Sequence, residues 1–479
     1  MAQLQEITEK QCIYRAVPAN TRLPLAMLAV TIVALGARLF FVAWRHSVNI
    51  FFWDQWAYLD PFFRHQPHLS ELFVYEFAPT RGGVGLVADW FLFSLTRWNA
   101  RADSFFVAGC IFAAMLVALW LKRTLFGPFL IHDLAIPAMF LTLAQYETLI
   151  GIPNPSWRGI PLLLIMLYCL ALLQRRTWTR FGSLLLLNFL LIYTGYGLFM
   201  GIVTLGVFAF ECYWSIRGKT SVQVAVPMIA LLVAAGSLGS FFVHYTLEGS
   251  TDCFDPSHHL WNYPWFVAVM FSRFLLRSSN LLLITFVGAA FLLATLMVLA
   301  IHLSDLARNG PRPAPLVGVA LLSYTLLFSA TTAVGRNCLG LPEAAQASRY
   351  VTLMIPAFLG LYFYLLSRQP ANGADVARTI SGSARAGGGS RTTRATFVLP
   401  VFVALLLAGA VMKKTRDLGL FSEHRRAWAD CYRETEDING CNQFTHFKIF
   451  PNPESTGLKQ KLDFLKERHL NLFADSGTK

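Results

Sequence analysis

Residues 24–44 read PLAMLAVTIVALGARLFFVAW, and the aromatic and acidic stretch FFWDQW follows at residues 51–56. The first stretch carries one charged residue, Arg38, and as a helix it is long enough to cross a hydrocarbon layer roughly 30 Å thick. Tryptophan is enriched where a membrane meets water, so Trp53 and Trp56 predict that Asp54 lies at that boundary. A carboxylate at that depth can act on a substrate that has a lipid part and a polar part.

The composition of the whole chain is that of a membrane protein. Of its 479 residues, 55% are hydrophobic and 14% are charged, whereas soluble domains carry about 25% charged residues. Ten apolar segments follow the first, near 103–121, 129–149, 159–174, 181–194, 197–214, 222–246, 281–302, 314–332, 350–366 and 396–412. We therefore predict an all-α fold, a polytopic transmembrane helix bundle of about eleven spans.

Much of the formal net charge of +13 lies in short connections between apolar segments. Arg175 and Arg176 follow the fourth segment, and Arg308 and Arg312 follow the eighth. Cytoplasmic connections are enriched in Lys and Arg, so placing these residues inside puts the N-terminus in and the C-terminus out. The positive charge therefore reports topology, and no nucleic-acid partner is predicted.

This orientation divides the chain into a cytoplasmic N-terminal segment (1–23), a transmembrane domain (24–412) and an outer C-terminal segment (413–479). The N-terminal segment shows no clear signal-peptide cleavage site, so the first apolar stretch is interpreted as a retained anchor. Residues 367–395 are rich in Gly, Ser, Ala and Arg and are predicted to form a flexible cytoplasmic loop. The C-terminal segment is too small to bury a large core alone, so we expect it to pack on the outer face of the membrane domain.

The same orientation makes residues 46–102 one large outer loop. Gly83 to Trp98 is apolar but short and contains an acidic residue, so it is predicted to be a helix on the membrane surface and not a span. A similar surface helix is predicted for Pro264 to Ser278, with Arg273 and Arg277 at lipid headgroups.

Four of the eight cysteines, Cys253, Cys338, Cys431 and Cys441, fall on the outer side in this topology. Three pairings are open to four cysteines. The ten-residue separation of Cys431 and Cys441 favours a disulfide between them in an oxidising compartment. No spacing of Cys and His resembles a zinc site, and no metal-binding residue is predicted.

The unusual polar and aromatic clusters also map to the outer side. Asp54 is the candidate general base, and arginines at a membrane edge suit bidentate contacts to phosphate. The predicted substrate-binding residues are Trp53, Trp56, Asp60, Asn154, Trp157, Arg158, Tyr196, Arg336, Arg349 and Tyr350. The alternative interpretation is an interfacial aromatic belt with a solvated acid, and arginines that pair with outer acids or with headgroups.

An acid-bearing outer loop directly after the first span, here Trp53-Asp54-Gln55-Trp56, resembles the GT-C superfamily of membrane glycosyltransferases. The resemblance implies that Asp54 is the catalytic acid residue and that the sugar arrives on a polyprenyl phosphate. Gly335-Arg336 and Ser348-Arg349-Tyr350 are similar to a segment that precedes a late helix in a group of uncharacterised bacterial polytopic membrane proteins.

The sequence and this resemblance lead us to expect transfer of a sugar from a polyprenyl-phosphate donor to an outer-face glycolipid or glycan acceptor. The expected location is a bacterial inner membrane, in contact with membrane lipids and with the active face toward the periplasm or the exterior. Many GT-C enzymes have two adjacent acids, whereas Gln55 follows Asp54 here, and one carboxylate is a poor divalent-metal site. No cofactor is therefore predicted.

Two other function classes stay open at the level of the sequence. A transporter or flippase of a lipid-linked saccharide would also have many spans and outer arginines, but it needs polar groups deep in several spans. The interiors of these spans hold few ionisable residues, Arg38 being one. A non-catalytic membrane assembly subunit is the third class.

Overall fold

The computed structural model describes residues 22–77, 79–218, 221–246, 260–276, 278–369, 389–411 and 415–474. All but two residues of the predicted N-terminal segment lie outside these ranges, as does most of the predicted loop 367–395. Cys253 and Arg277 also lie outside the described residues.

The described part of the chain is almost entirely helical. Its longer helices are Arg22–His46, Ala100–Phe126, Ile160–Ala171, Thr177–Ile192, Leu198–Arg217, Ser221–Phe241, Asn262–Arg273, Leu281–Asn309, Pro313–Arg336, Val351–Ser367 and Gly389–Val411. The first loop holds Gln55–Tyr58, Asp60–Arg64, Leu69–Val74 and Gly83–Thr96. Two short strands of that loop, Glu76–Phe77 and Thr80–Arg81, pair antiparallel.

Seven of the described helices are long and apolar enough to cross a membrane. They are Arg22–His46, Ala100–Phe126, Leu198–Arg217, Val224–Phe241, Leu281–Asn309, Pro313–Leu339 and Ser348–Ser367. The four other predicted spans contain shorter apolar helices, namely Ile131–Gln145, Pro155–Ala171, Thr177–Ile192 and Val398–Ala410. The protein is therefore a helical bundle with several apolar helices of membrane-spanning length. The count of eleven spans and their orientation stay predictions.

Residues with specific backbone preferences set the ends of these helices. Before Ala100–Phe126, the side chain of Asn99 accepts a hydrogen bond from the Arg101 N–H at 3.0 Å, which satisfies one of the free donors at a helix start. Gly127 ends the same helix with φ of +80°, a conformation that costs other residues free energy.

The predicted span 129–149 is not one continuous helix. It divides into Ile131–Leu134, Ala135–Phe140, Leu143–Gln145 and a π-helical turn, Glu147–Gly151. One break lies at Thr142, whose side chain accepts from the Ala144 N–H at 3.1 Å and so starts a new turn. The apolar composition of this segment reports its burial and not its continuity.

A buried ion pair joins this segment to its neighbours at one end of the bundle. The Lys122 Nζ lies 2.7 Å from a carboxylate oxygen of Asp133, and both side chains are at most 1% exposed. The hydroxyl of Tyr362 donates to the other oxygen of Asp133 at 2.5 Å. Because Lys122, Asp133 and Tyr362 are all buried, their contacts hold the three helical segments that carry them in one register.

Helix Asn262–Arg273 lies inside the bundle, so the predicted surface helix at Pro264 to Ser278 is wrong. It packs against Leu281–Asn309, where a Cβ added at Gly288 would lie 1.7 Å from the Ala268 carbonyl oxygen. Arg273 is 2% exposed and donates to the Gln346 carbonyl at 2.6 Å. Arg273 therefore does not reach lipid headgroups.

The first loop and the C-terminal segment together form a second hydrophobic cluster. Trp56 and Phe93 of the loop are buried in it with Trp428 and Leu462 of the C-terminal segment. The helices of that segment are Thr415–Thr435, Ile438–Phe444, Glu454–Thr456, Leu458–Glu467 and Asn471–Phe473. Neither piece is large enough to bury these rings alone, so each completes the core of the other. We call this part of the molecule the loop end of the bundle.

Cys431 and Cys441 form a disulfide within the C-terminal segment, with their Cα atoms 5.7 Å apart. Cys338 is also disulfide-bonded. Cys110, Cys169 and Cys212 are free and buried.

Candidate active site

The Trp53-Asp54-Gln55-Trp56 turn is held by atoms other than the Asp54 carboxylate. Trp53 has φ of +50°, and its N–H donates to the Ile449 carbonyl at 3.0 Å. Trp56 is fully buried, whereas Trp53 is 38% exposed. Asp54 begins the short helix Gln55–Tyr58 but makes no side-chain cap hydrogen bond. The carboxylate is therefore not used in building the turn.

Gln55 fixes this turn to two neighbouring elements. Its Nε2 donates to the Pro153 carbonyl at 2.8 Å and lies 3.4 Å from a carboxylate oxygen of Asp103. Its Oε1 accepts from the Phe52 N–H at 3.0 Å. Gln55 is 2% exposed, so these bonds form away from water, where they constrain the position of Asp54 most strongly.

The Asn154-Pro155-Ser156-Trp157-Arg158 segment enters the bundle through a π-helical turn, Pro155–Gly159. Asn154 starts that turn, and its side chain accepts from the Ser156 N–H at 2.9 Å. The Trp157 Nε1–H donates to the Thr80 hydroxyl at 3.3 Å. Arg158 is 4% exposed and donates to the Ile152 carbonyl at 2.8 Å.

Tyr196 lies in a tight turn that packs on the same segment. The Gly195 N–H donates to the Ser156 carbonyl at 2.9 Å. A Cβ added at Gly195 would lie 1.9 Å from Trp157 Cδ1, so only glycine permits this approach. The Tyr196 ring then meets Phe328, with ring centroids 5.0 Å apart.

The Ser348-Arg349-Tyr350 turn reaches the site through a contact with Glu147. The Glu147 N–H donates to the Ser348 hydroxyl at 3.0 Å, and the Ser348 N–H donates to a carboxylate oxygen of Glu147 at 3.3 Å. The Arg349 guanidinium lies over the Tyr350 ring, 5.6 Å from its centroid. Tyr350 in turn contacts Phe328, with centroids 6.3 Å apart.

Electrostatic interactions link several of these side chains. The Asp54 carboxylate attracts both the Arg158 and the Arg349 guanidinium groups, and so does the Glu147 carboxylate. Burial raises the pKa of the Tyr196 phenol, and three arginines act against that rise. These arginines are Arg158, Arg336 and Arg349.

Arg158 and Arg349 are close enough to repel each other. Neither forms a direct salt bridge with a side chain in the described part of the chain. Two guanidinium groups that repel each other and have no ion-pair partner in the described part of the chain suit the binding of an anion such as phosphate.

Comparison with protein-family models, with curated proteins and with solved structures returned no match to this chain. Its function must therefore be argued from the site alone. Asp54, Arg158, Tyr196, Arg349 and Tyr350 influence one another electrostatically in the structure. The Trp157 ring lies against the Arg158 guanidinium, and Arg336 is exposed.

Asp60 lies in a different environment from this group. Its carboxylate is 2.8 Å from the Lys461 Nζ and also pairs with Arg64. Asp60 therefore belongs to a neighbouring cavity between the first loop and the C-terminal segment.

Sequence reasoning missed two contributors to the site. Glu147 is the only acid in the apolar stretch 135–149. An isolated acid at the end of such a stretch indicates a functional residue, and this signal could have identified Glu147. Arg425 is 1% exposed and donates to the Ile150 carbonyl at 2.6 Å and to the Ile50 carbonyl. It braces the backbone on both sides of the site, and no sequence pattern connects it with residues so distant along the chain.

Within the described ranges, no three His, Cys, Asp or Glu side chains come together as a metal-binding group.

Proposed function

We propose that this chain is a membrane glycosyltransferase that moves a sugar from a polyprenyl-phosphate donor to a glycolipid or glycan acceptor. The reaction would take place at the outer face of a bacterial inner membrane. The proposal rests on two arginines without an ion-pair partner in the described part of the chain, Arg158 and Arg349, whose guanidinium charges act on each other and are both influenced by the Asp54 carboxylate. Asp54 itself makes no side-chain cap hydrogen bond. An anion site beside a free base is what transfer from a sugar phosphate requires.

In the proposed reaction, Asp54 takes the proton from an acceptor hydroxyl as its oxygen attacks the anomeric carbon of the donor. The bond between that carbon and the phosphate oxygen breaks, and polyprenyl phosphate leaves with the electron pair. Arg158 and Arg349 then neutralise the charge that grows on the leaving phosphate. Arg336, which is exposed, provides a third positive charge at the entrance.

An apolar cavity supports a donor with a lipid chain. It has a volume of about 480 Å³ and is lined by side chains of three long helices, among them Phe210, Leu303 and Leu327. Leu327 directly precedes Phe328, whose ring contacts Tyr196 in the site. One end of the cavity is therefore one residue along the helix from a ring that packs on the site.

Asp54→Asn tests the assignment of the base. The purified chain in detergent is given a polyprenyl-phosphate sugar with a radiolabelled hexose, and donor consumption is measured. Loss of a general base should slow turnover by about 10²- to 10⁴-fold. Asp430→Asn is the matched control, because Asp430 is an exposed acid paired only with Arg433 in the C-terminal segment. Normal turnover by Asp54→Asn would disprove the assignment.

Arg349→Lys tests the phosphate site, because lysine keeps the charge but loses the planar, two-pronged donor. We expect about 10- to 100-fold weaker donor binding, with unfolding of the protein unchanged. Arg308→Gln, at an exposed position near the end of another helix, is the control. Equal donor binding by wild type and Arg349→Lys would argue against a phosphate site at Arg349.

The interrupted helices favour a flippase of a lipid-linked saccharide as the second candidate. Glu147–Gly151 and Pro155–Gly159 are π-helical turns, and discontinuous helices line substrate sites in many transporters. Vesicles containing the purified chain distinguish the two functions. Movement of a lipid-linked sugar across the bilayer without chemical change would support transport and refute transfer.

A further inference from the structure

A second cavity opens at the loop end, where the first loop meets the C-terminal segment. Its volume is about 480 Å³, which lies within the range of small-molecule sites in proteins. Asp60, Glu76 and Phe77 of the loop line it, together with Ser455 and Lys461 of the C-terminal segment. Thr246 lines it as well, so the cavity is built by three parts of the chain that are far apart in sequence.

The charged groups of this cavity balance one another. Asp60 and Glu76 are acidic, and Arg64 and Lys461 are basic. Asp60 pairs with both basic groups, and Lys461 also donates to the Trp56 carbonyl at 2.7 Å. The two acids and two bases balance in number, and of these four groups only the Glu76 carboxylate is outside an ion pair with a described residue. A cavity with this charge balance does not attract an ion strongly, so it favours a neutral polar ligand.

Hydrogen-bonding capacity remains in this cavity. One carboxylate oxygen of Glu76 accepts from the Thr246 N–H at 3.0 Å. The other is buried and has no partner within the described ranges, although buried carboxylate oxygens are normally hydrogen-bonded. Ser455 also lines the cavity, and its hydroxyl, which donates to the Asn452 carbonyl at 2.9 Å, can still accept a hydrogen bond. A ligand with several hydroxyl groups would satisfy these atoms.

Aromatic rings complete the lining and connect the cavity with the arginine site. The Phe77 ring stacks on Trp157 at a centroid distance of 5.4 Å. The Arg158 guanidinium lies 6.0 Å from the centroid of the Trp157 ring. Ring faces pack against the apolar faces of sugar rings, whereas carboxylates and hydroxyls bind sugar hydroxyls.

We infer that this cavity binds a neutral oligosaccharide, the acceptor glycan of the proposed reaction. The role of the glycan as acceptor rests on the proposed function, whereas binding of a saccharide in this cavity does not require turnover. The cavity reaches the Arg158 guanidinium only through the stacked rings of Phe77 and Trp157, so a bound glycan is a neighbour of the arginine site and not in contact with it.

The test is binding of the purified full-length chain to an array of immobilised neutral and acidic oligosaccharides. We expect binding to neutral oligosaccharides, and about tenfold weaker binding for Glu76→Gln, which loses charged acceptors at the cavity. Glu467→Gln, at an exposed acid of helix Leu458–Glu467, is the matched control and should bind normally. Ser455→Trp fills the cavity from its exposed edge and should abolish binding, whereas Asn452→Trp, three residues away and exposed, should not.

Three outcomes would overturn the inference: binding of no neutral oligosaccharide, a preference for acidic ones, or binding that Glu76→Gln and Ser455→Trp leave unchanged. Donor consumption by the same preparations separates this inference from the proposed function. Cavity-dependent glycan binding without donor consumption would refute the transferase and retain the saccharide site. Donor consumption without glycan binding would refute the saccharide site and retain the transferase.

Discussion

Replacement of Gln55 by glutamate should destabilise the site, although it would create the two adjacent acids found in many enzymes of the GT-C superfamily. The Gln55 amide donates to the Pro153 carbonyl at 2.8 Å and lies 3.4 Å from the Asp103 carboxylate. A glutamate carboxylate has no hydrogen to donate, so both contacts would become oxygen against oxygen. Each buried acceptor left without a donor costs about 1–3 kcal/mol. Since the longer contact is weak, we expect a total loss of about 2–4 kcal/mol.

This loss should depend on pH in a defined direction. Burial beside Asp103 raises the pKa of an introduced carboxyl above its unfolded value of about 4.3. The folded form then binds more protons than the unfolded form between these two pKa values, so stability falls as pH rises through that window. The destabilisation is therefore complete near neutral pH and shrinks as pH falls through the raised pKa.

The assay is thermal unfolding of the purified chain in detergent, followed by tryptophan fluorescence between mildly acidic and neutral pH. Gln55→Met removes the same donor without adding a charge, so it should be destabilised equally at every pH. Gln443→Glu, at an exposed position of the C-terminal segment, should leave unfolding unchanged. Wild-type stability of Gln55→Glu at neutral pH, or a loss that does not shrink in acid, would refute the assigned role of the amide.

Two further predictions concern the stability of the bundle and of its C-terminal segment. Asp133→Ala should cost about 3–5 kcal/mol, because it leaves the buried Lys122 charge without its ion-pair partner. The double variant Lys122→Met/Asp133→Leu should recover most of that loss in the same unfolding assay. Failure of the double variant to recover stability would contradict the pairing. Replacing Cys431 and Cys441 by alanine should cost about 2–3 kcal/mol for a loop of ten residues. Cys110→Ala, at a free cysteine, is the comparison, and an equal effect of all the cysteine variants would show that the disulfide contributes nothing.

Helix positions could be predicted because the membrane leaves few alternatives. A long apolar segment in hydrocarbon must satisfy its backbone internally, and a helix does so. The segment predicted at 281–302 is accordingly the helix Leu281–Asn309, and that at 350–366 is Val351–Ser367. Continuity is not encoded in the same way, since Thr142 and the π-helical turn Glu147–Gly151 interrupt the predicted span 129–149, whose composition is largely apolar.

The candidate site was partly predictable for a different reason. Polar residues at the ends of apolar segments are drawn to the same interface, so Asp54, Arg158 and Arg349 could be grouped from the sequence, and their charges act on one another in the structure. Location at the same interface does not tell which of two neighbouring clefts a residue lines. Asp60 was therefore predicted in the site, although it pairs with Lys461 in another cavity. Lys461 could not have been assigned, because its role depends on how the C-terminal segment folds back on the loop.

The contacts between the first loop and the C-terminal segment also govern when the protein can become active during its synthesis. Trp56 leaves the ribosome 405 residues before Lys461, whose amino group holds the Trp56 carbonyl. Trp53 likewise waits for Ile449 to accept its N–H. Until translation has passed these residues, the turn that carries Asp54 lacks both anchors, although the helices around it can already be inserted in the membrane. A ribosome that stalls before Ile449 would therefore leave a chain without these anchors, and under the proposed function the site could act only after synthesis is nearly complete.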